Sequence, residues 1–109
     1  MIYEHKRGAT LELSGQILPV GDTPTPNFTG WTGTAQIRTL ADNLISNLEF
    51  TWLNQSTGLV RIRCDESLTA TWALGVAELD VRLKSNADDV VITTTQQMMI
   101  VKEITRAPA

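Results

Sequence analysis

Residues 76–84 alternate without a fault: Ala77, Leu79, Val81 and Leu83 share one parity, while Glu78, Asp80, Arg82 and Lys84 share the other. Successive side chains of an extended strand point to opposite faces, so the pattern requires a strand with one face on a core and one in water. The same rule recurs along the chain. Val60, Ile62 and Cys64 oppose Arg61 and Arg63, and Leu11, Leu13 and Ile17 oppose Glu12, Ser14 and Gln16. Gly15 interrupts that second apolar face, which predicts a bulge or bend. Ala35 and Ile37 stand against Gln36 and Arg38, and Leu44, Leu48, Phe50 and Trp52 share a parity on which only Ser46 dissents.

Residues 40–48 also fit helical spacing through Leu40, Leu44, Ile45 and Leu48. The turn formers Asp42 and Asn43, and the alternation continuing to Trp52, decide for a hairpin, because a nine-residue isolated helix is marginal. Residues 54–58 and 85–89 are turn-rich and join alternating runs as hairpin connections do. Asp65-Glu66-Ser67 followed by Leu68 to Trp72 reads as one capped helical turn between strands. Residues 19–30 hold three of the 4 prolines and two glycines, so they form a long loop, a place where domains often make contacts. The apolar stretch 90–104 is longer than an ordinary strand and carries Met98 and Ile100 on one parity, Met99 and Val101 on the other. Either it bends between two sheets or both its faces are covered: it is a bent strand in the core of its own domain, or one face of Met98 to Val101 is buried against another subunit.

These elements predict an all-β chain, a two-layer antiparallel Ig-like β-sandwich of about seven strands with one short helical turn. At 109 residues a single domain over 1–109 is expected, with 1–8 as an N-terminal arm and 106–109 as a short C-terminal tail. Hydrophobic residues at 42% exceed what disorder tolerates, and the charges interrupt every run long before the ~20 apolar residues of a membrane helix. Neither a membrane partner nor a secretory leader is expected, because Tyr3, Glu4, His5, Lys6 and Arg7 make the start polar. The single cysteine suits a reducing compartment. Two Asn-X-Ser/Thr tripeptides, at Asn27 and Asn54, are read as chance matches to a glycosylation sequon.

The groups that chemistry needs are sparse, so no catalytic residue, metal or cofactor is expected. His5 is the only histidine and falls in the arm, where it makes a poor catalytic base. Cys64 shares the apolar parity of Val60 and Ile62, which predicts a buried, inert thiol. One histidine and one cysteine cannot furnish a zinc site. Residues 30–33 lack the lysine of a phosphate loop, and Asp88-Asp89 stand without a calcium ligand series. Arg38, Arg61, Arg63 and Arg82 all face outward, but Glu49, Glu78 and Asp80 do too. Cross-strand ion pairing is thus the expected use of these arginines, and with a net charge of -3 no nucleic-acid partner is expected. Among the aromatics, Phe50 and Trp52 belong to the core, Trp72 plugs one end, and Trp31 is the one expected to stay partly exposed.

With strands assigned, the order of local signatures resembles a family of small β-sandwich proteins of tailed bacteriophages and prophages, similar to the N-terminal modules of upper baseplate proteins. The matching pieces are residues 6–13 (Lys-Arg-Gly-Ala-Thr-Leu-Glu-Leu) and 28–38, where Thr29-Gly30-Trp31 launches Ala35-Gln36-Ile37-Arg38. Residues 58–62, residues 75–83 and the closing 99–106, ending in Thr105-Arg106, complete the match. The longer proline-bearing loop 19–26 departs from the family pattern. The resemblance implies a non-enzymatic structural component of the virion, in the tail or baseplate, assembled in the bacterial host cytoplasm from several symmetric copies. Its expected partners are other tail proteins and further copies of itself. Tyr3, Phe28, Trp31, Met98, Met99 and Val101 are the expected contact residues, drawn from the N-terminal segment, loop 19–31 and strand 98–101. Two alternatives belong to other classes: a host-surface glycan module stacking sugars on Trp31 and Tyr3, and a nonvirion protein with nucleic-acid affinity.

Overall fold

The alternating segment folds into β6 (Gly75–Lys84), and Ala77, Leu79, Val81 and Leu83 all lie buried on its inner face. A computed structural model describes residues 3–17 and 27–105. In chain order the remaining elements are β1 (Tyr3–Lys6), β2 (Leu11–Gln16), β3 (Thr32–Thr39), β4 (Leu44–Asn54), β5 (Leu59–Cys64), α1 (Glu66–Thr69), β7 (Val90–Ile92) and β8 (Gln96–Val101). The strands follow the path β1-β8-β6-β3-β4-β5-β2, with β7 pairing β6 beside β8. All-β is therefore the architecture, with one short helix, and the sheet curls into a nearly closed barrel around one core.

One long strand makes the curl possible. The first half of β4 pairs β3, Ala35 lying opposite Leu48, and its second half pairs β5, Phe50 lying opposite Ile62. A register shift separates the pairs Ile37–Ser46 and Arg38–Leu44, so Ile45 is an extra residue that turns its side chain toward the core. This bulge accounts for Ser46, whose inward position had broken the alternation. It also moves Leu44 off the predicted apolar parity, opposite Arg38 and half exposed. The expected hairpin is present: Asp42 takes a positive φ of 69°, and Thr39 N–H donates to Asn43 O across it.

Several expectations change. The predicted bulge at Gly15 is absent, since β2 pairs β5 in unbroken register from Leu11–Cys64 to Gln16–Leu59. Asp65 does precede α1, but its side chain caps nothing; it accepts Arg63 Nη1 at 2.7 Å instead. The long C-terminal stretch stays within one sheet along β6. It is interrupted between β7 and β8, where Thr93 N–H donates to Val81 O and Thr93 Oγ1 accepts from Val81 N–H. The N-terminal segment is no loose arm over residues 3–6. It forms β1 and pairs β8 in parallel, Tyr3 opposite Met98 and His5 opposite Ile100, the one parallel pairing among the described residues. The arm reading failed because Tyr-Glu-His-Lys carries no aliphatic residue to reveal its buried parity.

Both asparagine tripeptides have a structural use. Asn27 Oδ1 accepts from Thr29 N–H at 2.9 Å, and Asn54 Oδ1 accepts from Ser56 N–H at 3.1 Å, so each is a side-chain-closed turn.

Candidate interaction surface

The inner parity of β1 brings a polar ring into the core wall. His5 is buried beside Ile100; its Nε2 lies 2.9 Å from Ala9 O, and its ring packs 5.9 Å from that of Trp72. The histidine expected to fray thus holds the β1–β2 turn. Thr69 of α1, fully buried, closes the same turn by accepting Gly8 N–H at 3.1 Å and donating to Ala9 O at 2.7 Å. Arg7 ties the turn to the chain beyond β8 through its ion pair with Glu103 at 3.1 Å.

A second aromatic group fills the opposite end of β6, where Thr32 pairs Lys84. Phe28 is only 2% exposed; Trp31 meets its ring edge-on at 5.3 Å, and Trp52 stacks on it at 5.4 Å. Trp52 Nε1 donates to Trp31 O at 3.0 Å, which fixes the loop end to β4. Phe50 lies across the backbone of Gly33, where any Cβ would sit 2.4 Å from its ring.

The six expected contact residues therefore do not form one surface. Phe28 and Met98 belong to the core, Phe28 from a loop against Trp31 and Trp52 and Met98 from the inner face of β8. Met99 and Val101 face outward on β8, partly buried, beside Glu4 and Lys6 of β1. Tyr3 is 47% exposed on the inner parity at the β1 edge. Trp31 lies at the other end of β6 and packs on Phe28, so Tyr3 and Trp31 cannot make a joint platform for sugar rings. The proline-bearing part of loop 19–31 falls outside the described residues.

Charged side chains pair across strands. Arg61 approaches Glu12 at 3.8 Å and Arg63 approaches Glu49 at 3.9 Å, while Arg38 meets Asp42 of the following turn at 4.0 Å. A polar hollow of about 290 Å³ lies over Gln36, Arg38, Glu78 and Asp80. Among the described residues no cluster of three or more His, Cys, Asp or Glu could hold a metal, and no helix is long and apolar enough to cross a membrane.

Cys64 is buried, with Ser46 Oγ 4.0 Å from its sulfur. Burial pushes the thiol above its ordinary pKa, helped by the Asp65 and Glu49 carboxylates and opposed by Ser46 and Arg63. The fold therefore favours the neutral thiol, and the stability this lends is complete below the unfolded thiol pKa of about 8.5 and is lost as pH rises through the higher folded value. Native protein at neutral pH should react slowly with an aromatic disulfide reagent, and urea-unfolded protein rapidly. Equal rates would place the thiol outside the core.

The feature that sequence reasoning missed is a groove of about 590 Å³ between the free edge of β2 and the β7–β8 segment. Leu13, Ile17, Val60, Ile62, Val81 and Val91 line it. It opens partly at Gly15, on the inner parity of β2, where an added Cβ meets nothing within 4 Å. Gly15→Val should raise stability by about 1 kcal/mol, through strand preference and a stiffer unfolded chain. A urea midpoint at or below that of the parent would mean that the open space is not there.

No protein-family model matches the chain, and no curated protein matches it.

Proposed function

We propose that the chain is a non-enzymatic structural component of a tailed-phage virion, a tail or baseplate assembly module present in several symmetric copies. The observation that supports this most is where the resembling segments fall. Residues 6–13, 28–38, 58–62, 75–83 and 99–106 overlap β2, β3, β5, β6 and β8, so the shared signatures fall on strands of the framework, though not on β4 or β7. The side chains best suited to chemistry also have packing roles: His5 holds a backbone carbonyl and Cys64 fills the core. Among the described residues the strand path ends on two single-sided edges, β1 and β2, whose outer backbone groups a neighbouring subunit can extend.

The test is to purify phage particles to homogeneity, identify the chain by mass spectrometry and place it with a labelled antibody. A fixed stoichiometry on the tail or baseplate is the expected result. Washed particles that lack the chain would end the virion reading.

A further inference from the structure

We propose that the edge of β7 left unpaired among the described residues is a self-association site, where Val90–Ile92 of one copy pairs antiparallel with Val90–Ile92 of a second about a two-fold axis at Val91. The first ground is exposure. Val90 is 44%, Val91 42% and Ile92 58% exposed, so three consecutive β-branched residues stand in water on an edge strand. Val91 is the informative one. Its register partner Leu83 is fully buried, so Val91 has the inward parity and is nonetheless uncovered, because the groove opens beside it.

The backbone phase supplies the second ground. Ser85 N–H donates to Asp89 O and Thr93 N–H to Val81 O, so residues 89 and 93 bond toward β6. Antiparallel ladders alternate, so Val91 also bonds toward β6 while Val90 and Ile92 turn their N–H and C=O groups away from it. A second β7 laid antiparallel with Val91 on the axis sets Val90 against Ile92 of the other copy, twice. Each of those pairs exchanges both backbone bonds, and the two Val91 residues form the close, non-bonded pair between them. No other centre uses every outward group. The paired Val91 side chains then lie on the inward side and cover the mouth of the groove.

Charge gives the third. In this register Asp89 faces Thr93 and Asp88 faces Thr94 of the other copy, whereas a parallel in-register pairing would oppose aspartate to aspartate. Residues 90–95 also contain no lysine or proline, the usual guards of an exposed edge. Three residues are a short contact against the roughly 1,200 Å² of a stable interface, so the free dimer is weak and concentration-dependent. Many copies held in one assembly would strengthen it.

This pairing does not depend on the virion reading, and a solution measurement on the full chain separates the two. Sedimentation equilibrium should show the wild-type mass rising from one chain toward two as concentration rises. Val91→Lys, at a position exposed enough to keep the fold, puts two ammonium groups on the axis. Ile92→Pro removes an N–H that faces the partner and not β6. Both variants should keep the single-chain mass with an unchanged circular dichroism spectrum. A wild-type chain that stays single at millimolar concentration overturns the proposal, as does growth beyond two copies or either variant associating like wild type.

Discussion

Phe28→Ala is expected to cost about 3–5 kcal/mol of folding stability, the range for removing a large buried aromatic. The residue lies outside every strand, yet it is only 2% exposed and contacts both neighbouring tryptophans. Its backbone N–H donates to Gln55 O, and its carbonyl accepts from Trp31 N–H, so the surrounding chain cannot follow the missing ring inward. Gly58 closes the other side; a Cβ there would stand 3.2 Å from the Phe28 ring. A cavity therefore remains, and Trp52 loses its stacking partner. Urea denaturation followed by tryptophan fluorescence should show a lower midpoint with an unchanged slope. A loss below about 1 kcal/mol would mean the end of the barrel relaxes around the deletion.

Thr69→Val should cost about 1 kcal/mol, the net worth of an ordinary hydrogen bond, although the two side chains have nearly the same shape. The valine leaves Gly8 N–H without its protein acceptor in a turn that water reaches, while Ala9 O retains His5 Nε2. The expected signature is local: amide exchange at Gly8 rises more than at β6, and Thr69→Ser restores most of the protection. If the serine variant behaves like the valine variant, packing of the methyl group and not the hydroxyl holds the turn.

These two positions show where the sequence is readable and where it is not. The alternation in β6, β3 and β5 reports which face is buried, because a strand with one wet face must write that into its residues. Cys64 was placed in the core for that reason. Alternation is silent about which strand lies alongside, so the pairing of β1 with β8 left no mark, and a buried histidine in β1 resembled a frayed end. Phe28 and Thr69 do their work from a loop and a single helical turn, where no period exists to betray burial. The apolar run Val90-Val91-Ile92 is the opposite case, apolar in sequence and exposed in the fold. Continuous apolar residues usually mean cover on both faces, but the number of neighbours a strand has is a property of topology. The groove and the β7 edge were invisible for the same reason, since both arise from strands that are not there.

The pairing of Tyr3–Lys6 with β8 also bears on the order in which the chain can fold. Strands β3, β4 and β5 meet in successive hairpins and β6 returns to β3 across them, whereas β1 must wait for a segment at the far end of the described chain. Loop-closure entropy makes such a contact late and slow compared with local pairing. During synthesis β1 therefore leaves the ribosome long before anything exists for it to pair with, and the Arg7–Glu103 ion pair can form only after β8 has emerged. A nascent chain stalled just short of β8 would hold most of the barrel with β6 uncovered along the half where β8 belongs. The pairing that joins the two ends of the described chain is thus the last the strand order allows.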